Sequence, residues 1–217
     1  MEEKKLLEAL KKAREDSKKR NFPQRFDLIV NLKDMNLKNP TNQVDIFMQA
    51  PHSHGKTVKV CAFVGAEMKD DAEKVFDKVI NETEFANYAK NKKAAKKIGN
   101  QFNFFVAQAN IMGKLAGAFG RVLGPRKKMP NPKAGCVVPP KVPLQPLFDK
   151  LQTTIRIYAK EKPTIQCTVG IDTMKDEDVI ENIQAVYKQI VTHLPNEKNN
   201  LKSIYIKTTM GKPVRLM

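Results

Sequence analysis

The stretch Val179-Ile-Glu-Asn-Ile-Gln-Ala-Val-Tyr-Lys-Gln-Ile-Val191 places Val179, Ile183, Val186 and Ile190 on one helical face, with Ile180, Tyr187 and Val191 beside them. That spacing makes an amphipathic helix whose apolar stripe needs a sheet to cover it. Thr173 with Asp176 resembles a capping arrangement, and Asp176, Glu177 and Asp178 suit the positive helix start. Upstream, Ile165, Cys167 and Val169 alternate as a strand. Downstream, Ser203 to Thr209 reads as another, with Ile204 and Ile206 on one face. Two strands alone cannot bury this helix. The opposite end of the chain has the same need. Leu6, Leu7, Leu10 and Ala13 predict an opening helix over about residues 3–19, ended by Asn21 and Pro23. Phe26, Leu28, Val30 and Leu32 alternate as a strand, as do Val44, Ile46, Met48 and Ala50, and then Val58, Val60, Ala62 and Val64. The economical solution packs head and tail together as one α+β domain.

The middle is then an inserted α/β domain. Met68, Ala72, Val75, Phe76 and Val79 predict a helix, and Asn103 to Ala107 a buried strand. Ile111, Met112, Leu115, Ala116 and Phe119 predict a helix ending in glycines. Seven prolines between residues 124 and 146 forbid regular helix there, and a further helix is expected over 147–157. The expected division is residues 1–65 plus 156–217 for the split domain and 66–155 for the inserted one.

Charge narrows the function. The 217 residues carry 39 Lys+Arg against 23 Asp+Glu, a net charge of +16. Residues 85–148 contain no acidic side chain. They hold Lys90, Lys92, Lys93, Lys96, Lys97, Lys114, Arg121, Arg126, Lys127, Lys128, Lys133 and Lys141. A solvated helix face mixes signs, because like charges one turn apart repel. A polyanion relieves that repulsion, which points to nucleic acid. An anionic membrane surface is the weaker reading, since there is no Trp and the Lys90–Lys97 run is flanked by Ala and Asn. No window approaches 18 consecutive apolar residues, and the first residues lack the apolar core of a signal peptide, so the protein is expected in the compartment where it is made.

Other chemistries find no support. The glycines at 113, 117, 120 and 124 match neither a phosphate loop nor a dinucleotide fingerprint. No hydrolase or zinc-protease motif occurs. Cys61, Cys136 and Cys167 lie far apart and read as reduced thiols, and His52-Ser-His54 reads as a turn. No enzyme, cofactor or metal is expected.

Two segments remain. Gly120-Arg-Val-Leu-Gly-Pro-Arg-Lys-Lys-Met-Pro-Asn-Pro-Lys-Ala-Gly135 is a loop shaped by glycine and proline and carrying Arg121, Arg126, Lys127, Lys128 and Lys133. Lys207-Thr-Thr-Met-Gly-Lys-Pro213 ends a strand with two hydroxyls, a thioether and a glycine, groups that suit RNA ribose and backbone. Leu123-Gly-Pro-Arg126 with Met129-Pro-Asn-Pro-Lys133, and Thr208-Thr-Met-Gly211, resemble the two hallmarks of the large-subunit ribosomal protein L-one family of the mobile side stalk. The likeness spans essentially the whole chain and is greatest to the archaeal form. Departures fall at Lys127-Lys128, where many members have Gly and a hydrophobic residue, and at Lys212, where many place the proline directly after the glycine.

The resemblance implies a split α+β domain and an inserted Rossmann-like, three-layer α/β domain. It implies a cytoplasmic structural protein of the large subunit, monomeric when free, that binds stalk rRNA beside the tRNA exit site. It further implies help in releasing deacylated tRNA, contact with that tRNA, and repression of translation through the protein's own operon mRNA. The RNA-binding residues it implies are Phe22, Thr168, Val169, Gly170, Thr208, Thr209, Met210 and Gly211. A generic basic nucleic-acid-binding protein is the alternative.

Overall fold

A computed structural model describes residues 3–55, 57–140 and 142–217. In chain order the elements are α1 (Glu3–Glu15), β1 (Arg25–Leu32), β2 (Val44–Gln49), β3 (Val60–Val64), α2 (Lys69–Val75), β4 (Lys78–Asn81), α3 (Phe85–Lys90), α4 (Lys92–Gln101), β5 (Phe104–Gln108), α5 (Met112–Leu123), β6 (Val137–Val138), α6 (Gln145–Thr153), β7 (Thr154–Ala159), β8 (Thr164–Ile171), α7 (Asp176–His193), β9 (Leu201–Thr208) and β10 (Val214–Arg215). They divide into two compact units: residues 1–56 with 153–217, and residues 57–152.

The first unit carries an antiparallel sheet ordered β10-β9-β1-β8 and a ribbon of β2 with β7. Phe26, Leu28 and Val30 of β1 point to one face, with Ile165 and Val169 from β8 and Ile204 and Ile206 from β9. Leu6 and Leu10 of α1 and Val179, Ile183, Val186 and Ile190 of α7 cover that face in one core. The apolar stripe of 179–191 thus meets strands from both ends of the chain. Its start differs from the expected capping arrangement: Lys175 occupies the N-cap without a side-chain bond, and Asp176 is held by Arg14 instead.

The ribbon corrects a reading. Residues 147–157 are not one helix, because α6 stops at Thr153 and β7 starts at Thr154. Leu147, Leu151 and Ile155 suit helical spacing, but Ile155, Ile157 and Ala159 also alternate, and pairing with β2 satisfies their backbone groups. Asp45 of β2 sits on the ribbon with its side chain only 8% exposed. The Arg156 guanidinium donates to it at 3.0 and 3.2 Å, and Lys160 Nζ lies 2.9 Å away. Burial pushes this carboxyl up, but the hydrogen bonds and charges of Arg156 and Lys160 outweigh burial and hold it below the usual carboxylate range. A depressed folded value gives stability at neutral pH that is lost as pH falls through it. Wild-type protein is therefore expected to be more stable than Asp45→Asn at neutral pH, with the gap closing below about pH 4. Urea midpoints measured across a pH series check this; a gap that stays constant with pH contradicts it.

The second unit is a parallel sheet ordered β4-β3-β5-β6. Every residue of β3 is buried, as in a central strand covered on both faces. Cys61 and Phe63 pack with Phe85, Phe105, Leu115 and Phe119 on one side, while Phe76 meets Phe148 of α6 at 6.0 Å. The arrangement is a three-layer α/β unit. The expected boundaries at 65/66 and 155/156 therefore move to 56/57 and 152/153. The 58–64 strand belongs to the inserted unit, because it pairs with β4 and β5. Val79 lies on β4 rather than on the preceding helix, which ends at Val75.

The segment after α5 closes with a left-handed cap. Lys127 N–H donates to the Gly124 carbonyl at 2.9 Å and Lys128 N–H to the Leu123 carbonyl at 3.0 Å. Lys127 holds φ +56°, a conformation that glycine adopts without cost. The backbone penalty for a side chain there is about 1–2 kcal/mol, and glycine's extra freedom when unfolded returns part of it. Lys127→Gly is expected to raise unfolding free energy by about 0.5–1 kcal/mol, read as a higher urea midpoint. A lower midpoint would overturn this account.

Candidate nucleic-acid interface

The start of β1 brings the two motifs of the first unit together. Phe26 pairs with Gly170 of β8 on one side and with Thr208 of β9 on the other. Segments 168–170 and 208–211 thus flank the same two or three residues of β1. Phe22 lies just upstream of that strand. An open cleft of about 660 Å³ forms here, lined among others by Arg14, Lys19, Arg20, Phe22, Asp172 and Thr208.

A buried glutamine ties the cleft's walls. Gln24 is 3% exposed. Its amide nitrogen donates to Ser17 Oγ at 2.6 Å and to the Lys18 carbonyl at 3.0 Å. Its side-chain oxygen accepts from Met210 N–H at 3.2 Å. Its backbone N–H donates to Asp172 Oδ2 at 3.2 Å, and its carbonyl accepts from Asp172 N–H at 2.9 Å. Arg14 fixes the far wall by donating to Asp176 Oδ1 at 3.0 and 2.7 Å, to the Met174 carbonyl at 2.7 Å and to the Asp172 carbonyl. Its guanidinium lies 5.1 Å from the Phe26 ring centroid. Neither residue was legible as part of a site. A lone Gln before a strand and an Arg on a helix carry no spacing signal.

The expected contact residues divide into three groups. Phe22 and Met210 are 48% and 61% exposed, unusual for large apolar side chains. Thr168 is half-buried on the open face of the sheet, where its hydroxyl donates to Asp27 Oδ1 at 2.9 Å beside Lys207. Thr209 Oγ1 accepts from Arg25 N–H at 2.9 Å, which fastens the turn to β1. The other side chains do not reach the surface. Val169 is fully buried, because strand parity points it into the core. Thr208 is 1% exposed, tucked under its own turn. In the structure the Thr208 hydroxyl faces its own turn, and that of Thr209 bonds the start of β1. Gly170 lets α7 approach, since a Cβ there would lie 2.9 Å from Val179 Cγ2. A Cβ on Gly211 would run into Thr208 Oγ1.

The basic loop of the second unit is less uniform than its sequence. Arg121, Arg126, Lys127 and Lys133 are exposed. Arg126 donates to the Val122 carbonyl at 3.0 Å and to Asn100 Oδ1 at 3.2 Å. Lys128 is a structural cation: its Nζ donates to the Gly99 and Phe102 carbonyls at 2.9 and 2.7 Å, where the end of α4 needs donors. Lys114 pairs with Glu82. Lys92, Lys93, Lys96 and Lys97 stand exposed along α4. Lys141 lies outside the described residues.

No group of three or more His, Cys, Asp or Glu residues that could hold a metal occurs among the described residues. Cys61, Cys136 and Cys167 are buried, and burial pushes their thiols up to about 12, 11 and 12. His52 sits in a turn and bonds Glu181 Oε2 at 2.7 Å. No described helix is long and apolar enough to cross a membrane.

The first unit thus sets an aromatic and cations around one cleft, with Met210 exposed on the turn that Gln24 holds, and the second unit carries exposed lysines along α4. Residues 10–212 match the model of the Ribosomal protein L1p/L10e family, and the chain belongs to that family, in its archaeal type. It is 41% identical over 213 residues to the large ribosomal subunit protein uL1 of Methanothermobacter thermautotrophicus, covering 98% of each chain. It is 41% identical to the protein of that name from Methanobrevibacter smithii, again covering 98% of each. For the one from Pyrococcus horikoshii the identity is 38%, covering 98% of this chain and 95% of that one. The family is one of ribosomal proteins, not of enzymes.

Proposed function

We propose that this chain is a structural component of the large ribosomal subunit that binds the mobile side-stalk region of large-subunit rRNA near the tRNA exit site. The first unit makes the specific contacts. The observation that carries this reading is the pair Phe22 and Met210, exposed beside a turn and a strand start that Gln24 locks together. Large apolar side chains exposed at the surface can stack on bases or pack on ribose. Lys19 and Arg20 beside it meet phosphates. On this reading the protein works in the cytoplasm as part of the subunit and is a monomer when free. It assists release of deacylated tRNA, and it represses translation by binding a similar structure in its own mRNA. Likeness to the relatives' named role in the large subunit supports the ribosomal part.

The test is binding to a stalk-rRNA fragment and to an unrelated RNA duplex across a salt series. The fragment is expected to bind far more tightly and to keep its advantage at high salt. Equal affinities that collapse together as salt rises would show a generic polyanion binder driven by the +16 charge.

A further inference from the structure

The strand beside the cleft carries an irregularity. Along β8 the pairing with β1 sets Ile171 against Arg25 and Gly170 against Phe26, then Thr168 against Asp27, so Val169 stands opposite no residue of β1. Such a bulge leaves its extra residue outside the ladder and bends the strand. The Val169 carbonyl finds its donor on α7, where Asn182 Nδ2 donates to it at 2.8 Å. Asn182 is 0% exposed, and its amide oxygen accepts from the His52 N–H at 3.0 Å. His52 belongs to the segment through which the chain leaves the first unit, at the 56/57 boundary. That segment is fastened at other points too. Ala50 N–H donates to the Thr153 carbonyl at 2.9 Å, and His52 Nε2 lies 2.7 Å from Glu181 Oε2. Gly55, at φ +72°, sits so close to Ile171 that a Cβ would lie 2.6 Å from its Cγ1. One buried amide thus joins the bulge to the connector.

We infer that Asn182 couples the cleft to the connector: a ligand that holds segment 168–170 in place also holds the connector on α7, and releasing the connector loosens that segment. The coupling rests on the reading of the cleft as the RNA site, but it acts through the fold and not through a contact with RNA. A primary amide offers an oxygen and an NH2 group, and here the oxygen serves the connector and the NH2 group serves the bulge. When the connector lifts, the Asn182 oxygen stays buried without its donor, which is costly. The amide recovers by turning or by admitting water, and either movement takes the donor away from Val169. The contact of Gly55 with Ile171 acts in the same sense, because Ile171 pairs with Arg25 and the next N–H, of Asp172, bonds the Gln24 carbonyl. Linkage is reciprocal, so strain on the connector lowers RNA affinity by the same factor by which bound RNA steadies the connector. Asn182 is a positioning residue in this device, and His52 supplies the N–H it holds.

The test reads amide hydrogen exchange in the full chain by mass spectrometry. Replacing Asn182 itself strands buried groups on both sides and threatens the fold, so the informative pair is at His52. His52→Pro deletes the N–H that Asn182 accepts, whereas His52→Ala keeps it and loses only the ring. Without RNA, His52→Pro is expected to speed exchange in residues 164–171 by about tenfold and to leave β9 within about twofold of wild type. His52→Ala is expected to stay within about threefold of wild type in residues 164–171. Unchanged exchange there in His52→Pro overturns the inference, as does an equal rise in β9, which would mean general loosening. With the stalk-rRNA fragment bound, wild-type exchange in residues 50–55 is expected to slow by about tenfold, and His52→Pro to bind the fragment about tenfold more weakly than His52→Ala. Connector exchange that the bound fragment leaves unchanged also overturns the inference. Wild-type protein with no preference for the fragment over an unrelated duplex overturns the reading of the cleft and the RNA coupling with it. The RNA-free comparison tells that failure apart, because the link between residues 164–171 and the connector then persists.

Discussion

Phe22→Ala combined with Met210→Asp is expected to lower affinity for the stalk-rRNA fragment by about a hundredfold or more, with the thermal midpoint nearly unchanged. Stacking on an aromatic is worth about 1–3 kcal/mol per base, so losing Phe22 alone costs about ten- to a hundredfold. Aspartate at 210 adds a negative charge where phosphates come close. Stability is spared because the two side chains are 48% and 61% exposed, and the Met210 N–H still reaches Gln24. Filter binding with a parallel melting curve measures both quantities. Affinity within about threefold of wild type would remove these residues from the interface. Lys93→Ala with Lys97→Ala on α4 provides the contrast. It should weaken all RNAs alike and reduce the salt slope by about one for each phosphate that is no longer neutralised. Exposed lysines on a helix contribute charge and no shape.

Arg14→Ala carries the largest expected stability loss, about 3 kcal/mol. One guanidinium donates to Asp176 and to the carbonyls of Met174 and Asp172, and lies against the Phe26 ring. Alanine leaves the partly buried carbonyls and the Asp176 carboxylate short of a donor. Arg14→Lys should recover little, because a single ammonium cannot span three partners fixed by a planar fork. Denaturant unfolding with the two variants side by side checks this. Loss below about 1 kcal/mol for alanine would mean that water replaces Arg14 at no cost. The 172–176 segment forms one wall of the cleft, so RNA affinity should fall with stability in this variant. In Phe22→Ala the two should separate.

Elements buried on one face announced themselves. The stripe of 179–191 and the alternations at 26–32, 165–169 and 203–209 emerge as α7, β1, β8 and β9, because half-burial leaves a periodic trace. Where burial is two-sided the trace vanishes. β3 is buried throughout, so its residues say "strand" without saying in which sheet. The 147–157 stretch fits both periods, and only the pairing of β7 with β2 decides. α4 has the opposite difficulty: its lysines and alanines hide a helix that buries only Ala95, Ile98 and Gly99.

The site shows the same division. The motifs Leu123-Gly-Pro-Arg126 and Thr208-Thr-Met-Gly211, with the +16 charge, were enough to indicate the family and a polyanionic partner, since both depend on residue type and local spacing. Which side chains meet that partner depends on direction, and direction comes from the sheet. Pairing to β1 turns Val169 and Thr208 inward and leaves Met210 outside. The end of α4 converts Lys128 from a free cation into a cap. Gln24 and Arg14, which hold the cleft's walls, act on residues about 150 or more positions away, and local sequence holds no record of such contacts.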